Sequence, residues 1–159
     1  MTFVDCVATL PALQVQRFFD APRALVWRAW TNPEAMVLWL GPVEWPAISA
    51  TQDLRVGGEW RACLRSPVTG QDLWQGGVYR EIVPNERLVF TFKWERSHED
   101  GPPVDTLVTV LLSDAPGNGT LMDFTHEGLK SLQSLTGHKH GWTSTFERLE
   151  AFLAAGGAA

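Results

Sequence analysis

From Trp45 to His126 the chain alternates apolar and polar residues with a period of two, and this pattern constrains the fold most. Trp60, Ala62 and Leu64 alternate with Glu59, Arg61 and Arg65. Leu88, Phe90, Phe92 and Trp94 alternate with Val89, Thr91, Lys93 and Glu95. Val108, Val110 and Leu112, then Met122 and Phe124, continue the series. Successive side chains of a strand point to opposite faces, so the pattern predicts antiparallel strands with one buried and one wetter face. Gly57-Gly58, Pro84-Asn85, Gly101-Pro102-Pro103 and Gly117-Asn118-Gly119 supply turns at hairpin intervals. About six strands fit this stretch, and the β-branched and aromatic run Leu13 to Phe19 adds a first one ahead of it.

The flanks follow a different period. After the first strand, Asp20 is expected to cap a short helix with Pro22 in its first turn and Leu25, Val26, Ala29 and Trp30 on its apolar face. Asn32-Pro33-Glu34 repeats the start signal for a second helix carrying Met36, Val37 and Leu40, which Gly41-Pro42 ends. After Gly137 the period returns to 3.6: Trp142, Phe146, Leu149 and Leu153 form a stripe with Phe152 beside it, and Gly156 supplies the stop. Such a helix must bury its stripe, and the apolar face of the sheet is the surface large enough to receive it. The expected class is therefore α+β: a curved antiparallel sheet of about seven strands, in the order β-α-α-β6-α, wrapped around a long C-terminal helix. One unit over residues 1–159 is expected, with a core from about 11 to 155.

Composition then removes several functions. The formal net charge of −5 offers no basic surface, so neither nucleic acid nor an anionic membrane is an expected partner. No apolar run approaches the length of a membrane span, and the acidic Asp5 with no basic residue before Pro11 does not resemble a signal peptide. Two cysteines, Cys6 and Cys63, build no disulfide scaffold and suit a reducing cytoplasm. Cys63 alternates onto the face opposite Trp60 and reads as an inert thiol. There is no G-x-S-x-G, no P-loop and no dinucleotide fingerprint. No cofactor is expected. The feature left over is eight Trp with eight Phe, residues that wall apolar pockets as readily as they fill cores.

Several segments also resemble one family. Trp39-Leu40-Gly41-Pro42, Asp53-Leu54-Arg55-Val56-Gly57-Gly58 and the run Gly77 to Phe92 are similar to the family named after the activator of Hsp90 ATPase. Val108-Thr109-Val110, Gly119-Thr120, Thr125-His126-Glu127-Gly128-Leu129 and Gly141-Trp142 extend the likeness from about Phe18 to Leu153. The resemblance implies the helix-grip fold of the START/Bet v 1-like superfamily, enclosing a hydrophobic cavity. The eukaryotic co-chaperone carries a separate N-terminal domain that contacts the chaperone. A chain of 159 residues leaves no room for it, so the family name is not taken as the function.

Any single aromatic is first a core residue; as a group, Trp60, Phe90, Phe92, Phe124, Trp142 and Phe146 share the inward register or the helix stripe and are the expected cavity lining. His126 follows Met122 and Phe124 in register, so it points inward. It can anchor a ligand or serve as a base, but a core histidine hydrogen-bonded to backbone is the preferred reading. His138-Lys139-His140 is read as the solvated start of a helix, because a spacing of two cannot place both rings on one side for a metal. No catalytic residue and no metal ligand is assigned. The expected function is to hold a small apolar, aromatic or lipid-like ligand between sheet and C-terminal helix, and a homodimer is compatible with it. A cyclase or aromatase acting on a polyketide, and an accessory protein acting on a chaperone or other partner, remain the alternatives.

Overall fold

The computed structural model describes residues 10–96 and 102–157. Cys6, Asp5 and the Gly101 turn signal lie outside the described residues. Strand β1 (Leu13–Phe19) is followed by helices α1 (Arg23–Thr31) and α2 (Pro33–Trp39). Strands β2 (Ala47–Gln52), β3 (Glu59–Arg65), β4 (Asp72–Val83), β5 (Arg87–Trp94), β6 (Thr106–Ala115) and β7 (Gly119–Glu127) follow, and α3 (Leu132–Ala154) ends the series. All neighbours in the sheet are antiparallel, in the order β1-β7-β6-β5-β4-β3-β2. The last strand thus returns beside the first. The chain has the expected α+β helix-grip arrangement.

The alternation places side chains as expected on the concave face. Phe90, Phe92, Val108, Val110, Leu112, Met122 and Phe124 are buried there, and Trp142, Phe146, Leu149 and Leu153 of α3 pack over them. Curvature needs one close approach. Gly77 faces inward opposite Trp60, and a Cβ at that position would collide with the Thr91 carbonyl, so the strand can bend here only because no side chain is present.

Three expectations are corrected. Asp20 does not cap α1: the helix starts beyond its reach, with Pro22 as the flanking residue, and the Pro22 carbonyl accepts from the Leu25 and Val26 N–H groups. Asn32 does cap α2, accepting from the Glu34 N–H. Second, α3 starts five residues before Gly137, capped by Ser131, whose Oγ accepts from the Ser134 N–H at 3.0 Å. Its opening turns carry exposed Leu132 and two interior glycines, so they present no apolar stripe to read. His138, Lys139 and His140 therefore lie inside the helix. Third, the outer face is not uniformly wet. Cys63 and Val89 are buried on it. The Arg61 guanidinium lies 3.8 Å over the Trp74 ring and ion-pairs with Glu95, while Arg65 ion-pairs with Asp72. Trp74 is the register partner of Cys63, and this layer flanks the thiol. Burial pushes the Cys63 thiol up, with the Asp72 carboxylate adding to the effect, so the group stays protonated and unreactive.

Candidate functional site

Between the first turns of α3, strands β3 to β5 and the loop after α2 lies a cleft of about 610 Å³. Ser134, Gly137, His138, Gly141, Trp142 and Thr145 line it from the helix. Their spacing of three and four places them on one face. Four of the six, Ser134, Gly137, Gly141 and Thr145, are small, whereas the same side of the helix continues as Phe146, Leu149 and Leu153. The helix therefore closes on the sheet along its second half and stands open along its first. Across the gap, Leu64, Leu73, Gln75, Phe92 and Trp94 line the cleft from the inward positions of β3, β4 and β5.

Two histidines organise the inner wall. The Trp94 Nε1–H donates to His138 Nε2 at 3.0 Å, so the proton of that ring sits on Nδ1 and is donated to the Ser134 carbonyl at 2.8 Å. Deeper in, the Trp142 Nε1–H donates to His126 Nδ1 at 3.0 Å. His126 Nε2–H then donates to Thr106 Oγ1 at 2.7 Å, and that hydroxyl donates to the Phe92 carbonyl at 2.6 Å. His126 is fully buried, and burial pushes its pKa down to about 3, with His138, 5.3 Å away between ring centroids, adding a smaller push. The imidazole is neutral, and its proton and lone pair are both committed. The partners are side chains rather than the backbone groups expected for it.

The opposite lip is tied to α3. Arg148 donates to the carbonyls of Leu40 and Gly41 at 2.7 and 2.8 Å and to that of Leu38 at 3.1 Å. One guanidinium thus satisfies the open end of α2. The Val43 N–H donates to Ser144 Oγ at 3.1 Å. Gly41 adopts φ +89°, and a Cβ there would collide with the Trp45 carbonyl, so the turn that aims this lip requires glycine.

Of the expected lining, Phe92 and Trp142 reach the cleft. Trp60 and Phe90 instead border a residual gap of about 10 Å³, shared with Trp30 and Trp142, which has room for about one water. Phe124, His126 and Phe146 are sealed in the core. The physical reason is Trp30. Its ring centroid lies 6.2 Å from those of Phe90 and Phe146 and 6.4 Å from those of Phe124 and Trp142, so α1 fills the centre of the grip. The open space is displaced toward Trp94 and His138. Gln75 and His138 were not foreseen as lining. Hairpin counting finds Gln75: β3 presents Trp60, Ala62 and Leu64 inward, and antiparallel pairing then forces Gly77, Gln75 and Leu73 inward as well. Among the described residues, no cluster of three or more His, Cys, Asp or Glu could hold a metal ion, and no helix is long and apolar enough to cross a membrane.

The architecture defines a helix-grip protein with a packed centre and an open cleft at one end of its long helix. The chain belongs to the family described as Activator of Hsp90 ATPase homolog 1-like protein, whose model matches residues 20–154. Among solved structures, a Chromobacterium violaceum protein is 25% identical with a TM-score of 0.76, over 90% of this chain and 97% of its own. A Rhizobium leguminosarum protein is 28% identical with a TM-score of 0.72, over 91% and 95%. A Silicibacter pomeroyi protein, at 22% identity and a TM-score of 0.78 over 91% and 99%, shows likeness of fold alone. No curated protein matches the chain.

Proposed function

We propose that the chain is one START/Bet v 1-like binding unit that works in the cytoplasm and holds a small apolar or aromatic molecule between its sheet and C-terminal helix. The observation that carries this reading is the cleft of about 610 Å³ walled by Trp45, Leu73, Phe92 and Trp94. Pockets that bury small ligands have volumes of this order and a similarly apolar wall. The cyclase alternative needs a base facing the ligand, and His126 lies behind Phe92 and Trp142 with both nitrogens engaged. Titration with a naphthalene sulfonate probe tests the proposal. The folded protein is expected to light the probe and lose tryptophan emission, since Trp45, Trp94 and Trp142 line the cleft. A folded protein that leaves the probe dark would overturn it.

A further inference from the structure

One polar side chain of the cleft is nearly covered yet makes no hydrogen bond within the protein. Gln75 is 3% exposed, lines the cleft, and makes no side-chain hydrogen bond within the structure. The cleft leaves this amide within reach of water, and an occupant that covered it without a hydrogen bond would leave it unpaired, which is unfavourable. Its neighbours are committed: His138 is held by Trp94 and Ser134, and Thr145 Oγ1 donates to the Gly141 carbonyl. The Gln75 carboxamide offers two donors and an acceptor side by side to whatever enters.

A second observation is independent of the first. Gly137 and Gly141 sit inside α3, where glycine is the poorest residue after proline. Neither is required by packing, because a Cβ built on either would meet nothing within 4 Å. Both line the cleft, and their effect is a bare strip of helix facing Phe92 and Trp94. A slot between a bare helix and an aromatic wall suits a flat ring system, since ring faces stack and need little depth. No lysine or arginine lines the cleft and Glu44 does, which disfavours an anion.

We propose that the occupant is an uncharged planar heteroaromatic whose edge carries a hydrogen-bond donor beside an acceptor, paired with the Gln75 amide and lying between the glycine strip of α3 and Trp94. This rests on the binding reading above and narrows it. A lipid chain fills the same space but leaves the amide unpaired, which disfavours it.

The test uses the intact protein and four probes: 2-quinolone, its N-methyl derivative, naphthalene and 1-decanol, followed by calorimetry and tryptophan emission. N-methylation removes the donor and keeps the ring and acceptor. The wild-type chain is expected to prefer 2-quinolone over the N-methyl compound by about tenfold, as one neutral hydrogen bond allows. Gln75→Leu, which removes the amide at similar volume, is expected to abolish that preference while still binding naphthalene. Gly141→Leu and, separately, Gly137→Leu project into the slot and are expected to block every probe, with thermal melting confirming that each variant is folded. Should naphthalene or decanol bind in a glycine-sensitive way without any 2-quinolone preference, or should Gln75→Leu leave the preference intact, this inference fails and the binding reading stands. Should no probe bind, or should the leucine variants bind all of them normally, both fail.

Discussion

The two halves of α3 face the same sheet with opposite results. Its second half presents Phe146, Leu149 and Leu153 to a surface already occupied by Trp30 and Phe124, and the residual gap beside Trp30 is only about 10 Å³. The first half presents Ser134, Gly137 and Gly141 to Phe92 and Trp94, and a cleft of about 610 Å³ remains. Aromatic residues are present on both sides of the comparison. What differs is the helix: large side chains make a core, and small ones make a cleft. An aromatic count therefore says how much apolar wall a fold has, while the small residues opposite decide where the wall stays bare.

That contrast can be broken most forcefully through pH. His126 is neutral in the folded chain down to about pH 3, whereas in the unfolded chain it takes up a proton below about 6.5. Between those values the unfolded state binds more protons, so stability is fully present above pH 6.5 and is lost as pH falls. The ceiling on the loss is roughly 4–5 kcal/mol at ~1.4 kcal/mol per unit. Urea denaturation from pH 7 to pH 4 should show up to ~3.5 kcal/mol of it, and His126→Gln should flatten that slope. Equal slopes in both proteins would mean that the packed half does not hold its histidine neutral.

Truncation comes next. Phe146→Ala should cost about 3–5 kcal/mol, as buried Phe deletions do. Glu147→Ala, one position round on the exposed face, should stay within ~0.5 kcal/mol. Equal losses would erase the distinction between faces of the helix. Trp142→Phe tests the boundary between the halves: it removes the donor to His126 Nδ1 and leaves a buried acceptor unpaired, at about 1–3 kcal/mol in the same denaturation assay. The smallest effect has the opposite sign. Gly137→Ala meets open space and should stabilise the chain by up to ~1 kcal/mol, raising the melting temperature. A destabilised alanine variant would show that the open half is packed after all.

Much of the fold was legible because strand alternation and the α3 stripe are local patterns. Seven strands, two short helices and one long helix follow from them. The start of α3 was hidden because its first turns place small and polar residues on the inner face, which leaves no hydrophobic period to detect. The site was less legible for a different reason. Which of the eight tryptophans fills the centre depends on Trp30 meeting residues as distant in sequence as Phe124 and Phe146, and no local pattern encodes such a contact. His138 was read as solvated because two histidines at a spacing of two suggest a metal or nothing, whereas the ring's partners include an indole on strand β5 and a carbonyl of its own helix.

The opposite proton placements on His126 and His138 give the molecule a pair of built-in spectroscopic labels. One ring carries its hydrogen on Nε2 and the other on Nδ1, although their centroids are only 5.3 Å apart. Nitrogen-15 chemical shifts separate a protonated imidazole nitrogen from a bare one, so the two rings should display mirror-image signatures in a single long-range correlation spectrum. The signature of His138 reports on the cleft that it lines, while that of His126 reports on the interior behind it. A molecule entering the cleft should move the first set of resonances and leave the second nearly still, so that occupancy is read without adding any label to the chain.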